Sequence, residues 1–84
     1  MSYGLYEIII VEIDGPHDEI LWLFPSEFAE EQIIKMVFCT EDLTSYVVCD
    51  GTSHFNGNIT MDGSKLVAGT YYLFVLANNI FDFE

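Results

Sequence analysis

Negative charge is the feature that most restricts what this chain can fold into and bind. Its 84 residues include 14 Asp and Glu but only 2 Lys and no Arg, which gives a formal net charge of −12 at pH 7. Repulsion between so many like charges favours disorder unless enough apolar surface is buried to offset it. Because 51% of the residues are hydrophobic and 15% are aromatic, we expect the chain to fold. Its length predicts one small acidic domain over residues 1–84.

The same charge excludes several classes of function. A surface with so few cations cannot neutralise phosphates, so we expect no direct binding to nucleic acid or to an anionic membrane. Apolar runs such as Leu21–Phe24 and Tyr71–Ala77 are much shorter than the roughly 20 residues of a membrane span. The first residues carry no Lys or Arg and do not match a secretory signal, which predicts a cytoplasmic protein with reduced cysteines. Because the protein carries so much negative charge, a charged partner should be basic.

Short runs of β-branched and aromatic residues, separated by turn residues, predict a sheet. Leu5–Ile13 is predicted as a central strand because apolar residues lie on both of its faces. A second strand, Glu19–Phe24, follows the turn at Asp14-Gly15-Pro16, and Thr44–Cys49 is predicted as another strand.

One helix is predicted between the second and third strands, from Ser26 to about Phe38. Ser26 is a good N-cap residue, and the glutamates that follow it favour the positive end of the helix dipole. An apolar stripe at helical spacing supports this prediction and consists of Ala29, Ile33, Met36 and Val37.

The last third of the chain predicts a hairpin. One strand covers His54–Met61, Asp62-Gly63 forms the turn, and Lys65–Ala77 is the returning strand; an alternative register turns at Asn56-Gly57. The complete order is β-β-α-β-β-β. It predicts an α+β fold, a mostly antiparallel sheet of about five strands with one helix packed on one face.

No motif in the sequence indicates catalysis or cofactor binding. The two histidines, His17 and His54, have no serine in an elbow motif to activate. Together with Cys39 and Cys49 they also lack the short paired spacings of zinc ligands. We therefore predict no enzyme activity, no cofactor and no metal.

Acidic residues are unevenly spread along the chain, and Lys35 is the only basic residue between Asp18 and Asp42. In the predicted fold the acidic residues of this stretch come from a strand start, the helix and the loop after it, so several should share one exposed face. Only a partner rich in Lys or Arg would recover the cost of their mutual repulsion. The predicted partner-binding residues are Asp18, Glu19, Glu27, Glu30, Glu31, Glu41 and Asp42.

In composition the chain resembles the DNA-mimic inhibitors encoded by phages and mobile elements, such as anti-restriction and anti-CRISPR proteins. Small size, near absence of basic residues and dense carboxylates carry the resemblance. It implies a viral anti-defence protein in the host cytoplasm, whose carboxylates replace phosphates in the basic groove of a nucleic-acid enzyme.

The alternative is an interaction or adaptor module that binds through a sheet edge or an apolar patch. The element order resembles the sheet-forming part of longin-like domains, and the stretch from Leu23-Phe24-Pro25 to Asp62-Gly63-Ser64-Lys65 resembles the upstream part of DENN modules. On this interpretation acidity serves solubility, and binding depends on the exposed aromatic residues Tyr71, Tyr72, Phe81 and Phe83. The oligomeric state stays open, because charge repulsion opposes a dimer unless the acidic faces point apart.

Overall fold

The structure is a computed structural model that describes residues 3–23, 32–54 and 58–78, and every regular element in these ranges is a β-strand. The six strands are β1 Tyr3–Ile13, β2 His17–Leu23, β3 Ile33–Thr40, β4 Tyr46–Ser53, β5 Asn58–Gly63 and β6 Gly69–Asn78. They form one antiparallel sheet in the order β1-β6-β3-β4-β5-β2. The described part of the chain is therefore all-β.

The sheet is curled into a half-barrel because its two edge strands are joined directly. β1 and β2 lie at opposite edges, yet only residues 14–16 connect them. Four residue steps cannot span more than about 14 Å, so the end of β1 and the start of β2 must lie close together. Strands β3, β4 and β5 form a meander, and β6 returns to lie beside β3 in a Greek-key arrangement.

The concave face of the sheet holds the core. Alternate residues of each strand point inward, as the two-residue period of a strand requires. Phe38 of β3 is fully buried, and its ring lies 6.0 Å from the ring of Tyr71 in an edge-to-face arrangement. The ring centroid of Trp22, on the edge strand β2, lies 6.2 Å from that of Phe38. The fully buried inward residues of β3 and β6 are Ile34, Met36, Phe38, Leu73, Val75 and Ala77.

Residues 64–68 cross one end of the half-barrel and close it. They connect β5 to β6, which are separated in the sheet by β4 and β3. Leu66 is 1% exposed and packs into the core, whereas its neighbour Val67 is 67% exposed. The Lys65 ammonium donates a hydrogen bond to the carbonyl of Val48 at 2.8 Å, and the Tyr71 hydroxyl donates to the carbonyl of Val67 at 2.8 Å. The crossing is thus tied to the sheet by its backbone and side chains.

Two glycines allow the neighbouring strands to approach closely. A Cβ atom at Gly51 would lie 2.8 Å from Cγ2 of Ile59, and one at Gly63 would lie 2.5 Å from Cδ1 of Ile20. Both positions are buried and face the strand that pairs with them. The close packing of β4, β5 and β2 therefore depends on glycine, which has no side chain, at these two positions.

The predicted helix and the α+β fold class are wrong for the described residues. Residues 33–40 form β3, and Ile34, Met36 and Phe38 are buried at a two-residue spacing. Residues 24–31, which include the predicted helix start, lie outside the described residues. The error has a physical origin: both faces of β3 carry apolar residues, and such a run satisfies helical and strand periods alike.

The predicted final hairpin is also wrong. β5 ends at Gly63, two residues beyond the expected end at Met61; the chain then crosses the sheet, and β6 pairs with β1 and β3 rather than with β5. β5 pairs instead with β4 in antiparallel orientation, and the alternative turn at Asn56-Gly57 lies outside the described residues. β1 is an edge strand and not a central one, because in the described sheet it pairs with β6 alone.

We expect the Leu66→Ala variant to lose about 2–5 kcal/mol of unfolding free energy, since it removes a buried side chain that closes the core. Urea denaturation, monitored by the fluorescence of Trp22, measures this loss. Val67→Ala is the matched control, because Val67 is adjacent and exposed, and should change stability by less than about 0.5 kcal/mol. Equal effects of the two substitutions would show that Leu66 does not close the core.

Candidate functional site

One end of the half-barrel carries most of the described carboxylates. The β1–β2 turn, the β3–β4 turn and the 64–68 crossing all lie at this end, because neighbouring strands run in opposite directions. Seven of the nine acidic residues in the described ranges lie in these connections or within three residues of the strand ends beside them, and all seven are exposed. We call this set the acidic end: Glu12, Asp14, Asp18, Glu19, Glu41, Asp42 and Asp62.

The remaining described charges are few. Glu7 lies in the middle of β1, and Asp50 lies in the middle of β4, where its Oδ1 atom is 2.7 Å from Nζ of Lys35. Lys65 is the only Lys or Arg at the acidic end among the described residues, and its ammonium is bonded to the backbone carbonyl of Val48. His17, beside Asp14, adds positive charge there only when it is protonated.

Hydrogen bonds within the β3–β4 turn fix the position of Asp42. Its Oδ1 atom accepts hydrogen bonds from the hydroxyls of Thr40 and Thr44, each at 2.7 Å, and from the Thr44 backbone amide at 3.1 Å. The hydroxyls of Thr44 and Thr40, with the Thr44 amide, lower the pKa of Asp42 below its ordinary value. Leu43 next to it has a φ of 63° and is 68% exposed at the tip of the turn. This turn presents an ionised carboxylate in a defined place.

The β1–β2 turn positions Asp14 in a similar way. Nε2 of His17 lies 2.6 Å from Oδ1 of Asp14, although both side chains are well exposed. The hydrogen bond from His17, followed by its positive charge when protonated, lowers the pKa of Asp14. Gly15 between them has a φ of 142°, a conformation that L side chains rarely adopt. The turn therefore brings His17 back onto Asp14.

Asp62 is the third carboxylate of the acidic end that is held by a local hydrogen bond. Its Oδ1 atom accepts a hydrogen bond from the amide of Ser64 at 2.9 Å. Hydrogen bonds from the amide and hydroxyl of Ser64 lower the pKa of Asp62. Three separate connections thus each present a carboxylate whose charged form is favoured.

The structure places four of the seven predicted site residues at the acidic end. Asp18 and Glu19 lie at the start of β2, and Glu41 and Asp42 lie in the β3–β4 turn. Glu27, Glu30 and Glu31 lie outside the described residues. The sequence prediction missed Glu12, Asp14 and Asp62. The turn residues next to these three positions were the available signal in the sequence. Turns between successive antiparallel strands alternate between the two ends of a sheet, so a predicted turn assigns its neighbours to one end.

A second candidate site is the convex face of strands β1, β6, β3 and β4. Alternate residues of these strands point outward, and the strand register aligns the apolar ones in rows. The first row is Ile8, Phe74, Val37 and Val48, and the second is Ile10, Tyr72, Cys39 and Tyr46. Ile10 is 67% exposed and Tyr46 is 62% exposed. We call these two rows the outer apolar face.

Only part of the predicted aromatic surface belongs to this face. Tyr72 lies in the second row, but Tyr71 is 5% exposed and belongs to the core, so it is not an exposed aromatic residue. Phe81 and Phe83 lie outside the described residues. The resemblance to longin-like domains depended on a helix over a segment that is partly β3, and it carries no further argument.

The two thiols lie on opposite faces of the sheet. Cys39 of β3 points outward and is partly exposed, whereas Cys49 of β4 points into the core, and both are free. Burial raises the pKa of Cys49. Within residues 3–23, 32–54 and 58–78, no three His, Cys, Asp or Glu side chains come together as metal ligands would.

Comparison with known proteins gives no match, whether to a family model, to a curated protein or to a solved structure. The described ranges also contain no helix with the length and apolar character that crossing a membrane requires.

We expect the pKa of Asp42 to rise toward its ordinary value in the Thr44→Val variant, which loses the hydroxyl donor but keeps the backbone amide. Carboxyl chemical shifts measured by NMR across a pH titration give the value. A lowered folded pKa means that the Asp42 contribution to stability is present above about pH 4 and is lost as the pH falls through that lower value.

The pKa of Asp14 in the same variant is the internal control for this titration. Asp14 lies in the β1–β2 turn, and its hydrogen bond to His17 involves no residue of the β3–β4 turn. Its pKa should therefore stay constant. An unchanged pKa of Asp42 would mean that the Thr44 hydroxyl does not hold this carboxylate.

Proposed function

We propose that this protein is an acidic inhibitor that binds the basic surface of a nucleic-acid enzyme through its acidic end. The observation that carries the proposal is the gathering of seven carboxylates at one end of the half-barrel, with Lys65 as the one described lysine there. Spacing these charges along one surface gives a row of anions that a groove built for phosphates can bind.

Energetics support a role for this charge in binding. Like charges that share one end repel in the isolated protein, and a cationic partner removes that repulsion on binding. Asp14, Asp42 and Asp62 are each held by hydrogen bonds to their own turn, so they lose little side-chain freedom when a partner binds. Fixed carboxylates on a rigid sheet suit the replacement of phosphates better than mobile ones.

The proposal includes the setting of a phage or mobile-element product. Such an inhibitor acts in the host cytoplasm, where restriction and CRISPR nucleases meet foreign DNA. It needs neither catalysis nor a cofactor, because occupying the groove of the enzyme is sufficient.

The test is a competition assay against enzymes with basic DNA-binding grooves. A restriction endonuclease, a CRISPR nuclease and uracil-DNA glycosylase are each mixed with labelled duplex DNA, and the protein is titrated in. We expect displacement of DNA from at least one of them, with a Kd that rises about tenfold or more between 50 and 200 mM salt. If no enzyme of the panel releases DNA at low salt, these three classes of target are rejected.

Charge reversal locates the binding surface on the protein. Glu19→Lys and Glu41→Lys reverse exposed carboxylates of the acidic end that make no described hydrogen bond, and each should raise the Kd about tenfold. Glu7→Lys makes the same charge change on β1 away from this end and should raise the Kd by less than about threefold. Equal losses from all three substitutions would mean that net charge, and not the acidic end, determines binding.

The second candidate function is an adaptor that binds a protein through the outer apolar face. Two aligned rows of mainly apolar side chains on four neighbouring strands favour this function, because contiguous exposed apolar patches mark interaction sites. Tyr46→Ala and Glu41→Lys separate the two functions: an adaptor loses partner binding with the first substitution, and a nucleic-acid mimic loses it with the second.

A further inference from the structure

The strands of the outer apolar face have the sequence pattern of strands that are covered on both sides. Strands buried on both faces contain almost continuous apolar runs, whereas strands with one side in water alternate between apolar and polar residues. β6 contains the apolar run Tyr71–Ala77, and β3 contains Met36–Cys39. In the described structure only the inward side chains of these runs are buried, and the outward ones are partly exposed. The pattern indicates a layer on the outer apolar face that the described residues do not supply.

Charge at the borders of this face determines what kind of layer fits it. Two residues beyond the second row, toward the acidic end, are Glu12 on β1 and Glu41 just after β3. Both are exposed, and β6 lies between their strands, so they are about 10 Å apart. Beyond the first row, at the opposite border, Lys35 and Asp50 form an ion pair at 2.7 Å and their charges cancel. A partner that covers the face therefore needs cations at one border only.

We propose that the outer apolar face binds an amphipathic α-helix of a partner protein, whose first turn carries Lys or Arg and lies between Glu12 and Glu41. Leu76 and Thr70 lie six positions apart on β6, which is about 20 Å of strand or the length of about 14 helical residues. β1 and β4 are about 14 Å apart, and a helix with its side chains is about 10–12 Å wide. One helix laid along β6 thus covers most of the face.

The helix completes the layered packing of the sheet. Its apolar stripe contacts Tyr72 and Phe74 of β6, with Ile8 and Ile10 of β1 on one side and Val37 of β3 on the other. Helices cover the outer surface of curved sheets in the same way in barrels of alternating strands and helices. The positive end of the helix dipole adds to the charge of the basic side chains beside the two glutamates.

A shallow hollow opens at the border between the outer apolar face and the β3–β4 turn. It is lined by Cys39, Tyr46 and residues 43–45. A bulky apolar side chain from the first turn of the helix fits there, beside the basic residues.

Charge complementarity favours this occupant over others. A second copy of the chain would bring another net charge of −12 and its own carboxylates to the same border. A partner without cations would leave Glu12 and Glu41 unpaired beside a covered apolar surface, which costs free energy. The inference rests on the second candidate function, the adaptor, and not on the inhibitor.

Three synthetic peptides test the inference, each of about 14 residues and held helical by a side-chain staple. The first has a leucine stripe and two lysines in its first turn, the second has glutamines in place of the lysines, and the third has the composition of the first with its leucines spread around the helix. Fluorescence anisotropy of each labelled peptide is measured against the full chain. We expect a Kd of about 10–100 μM for the first peptide, at least about fivefold weaker binding of the second and at least about tenfold weaker binding of the third.

Substitution of Ile10 locates the apolar contact on the protein. Ile10→Ser removes an exposed apolar side chain from the face and should raise the Kd of the first peptide about fivefold or more. Leu21→Ser is the matched control, because Leu21 is exposed on the outward side of β2, outside the face, and its Kd should stay within about twofold of the original. Circular dichroism confirms that both variants fold.

Charge reversal on β1 tests the acidic border. Glu12→Lys should raise the Kd of the lysine peptide about fivefold and remove its advantage over the glutamine peptide. Glu7→Lys makes the same charge change on the same strand, but Glu7 pairs with the inward-facing Val75 and so lies on the other face of the sheet. It should change the Kd by less than about twofold.

Glu19→Lys separates this inference from the inhibitor. Glu19 belongs to the acidic end but lies on β2, outside the outer apolar face, so its reversal should weaken binding to a basic enzyme and leave peptide binding unchanged. If no peptide binds but a protein partner is found whose binding Tyr46→Ala abolishes, the adaptor function stands and the helical partner is rejected.

The reactivity of Cys39 gives a measurement that needs no variant. Bound peptide should slow the reaction of this partly exposed thiol with a thiol reagent. Four outcomes overturn the inference: no binding of the first peptide at about 1 mM protein, equal binding of all three peptides, a Kd that Ile10→Ser does not change, and a Cys39 that is already unreactive in the free protein, which would mean that the chain covers this face itself.

Discussion

The direct connection between the two edge strands is the constraint on which the rest of the structure depends. β1 and β2 are farthest apart in the order of the sheet, yet residues 14–16 are the whole link between them. A flat sheet of six strands would separate its edges by about 24 Å, which that link cannot span. The sheet therefore curls, and curling creates a concave face narrow enough for Phe38, Tyr71 and Trp22 to fill together.

Curling also explains why charge and apolar surface are segregated. Every strand reversal at one end of the half-barrel brings polar turn residues to the same place, and the turns of this chain are rich in Asp and Glu. In the part of the chain that the structure describes, only the concave side of the sheet is filled, and the apolar residues that alternate with the core lie on the convex side. One small fold thus exposes two surfaces of different chemistry, one charged and one apolar.

The sequence predicted the individual strands better than their arrangement. Leu5–Ile13 and the turn at Asp14-Gly15-Pro16 appear almost as expected, since β-branched residues and turn residues act locally. Residues 33–38 were assigned to a helix because apolar residues there satisfy two periods, and only pairing with β4 and β6 decides between them. The position of β6 between β1 and β3 depends on long-range pairing that no local pattern encodes.

The acidic end was likewise predictable only where local sequence determines it. Clustering along the chain identified Asp18, Glu19, Glu41 and Asp42, but Asp62 joins them only through the fold of the sheet. The hydrogen bonds that hold Asp42 involve residues within two positions of it, and a Thr-x-Asp-x-Thr pattern was visible in the sequence. A turn of that composition is a local signal of a fixed carboxylate.

The placement of the two cysteines allows the protein to be labelled at a single site. Cys39 sits between Tyr72 and Tyr46 on the convex side, while Cys49 is shielded within the interior. A thiol-reactive fluorophore therefore attaches at one place without protein engineering, where the outer apolar face borders the β3–β4 turn of the acidic end. Its emission reports whether a partner covers that border between the two surfaces.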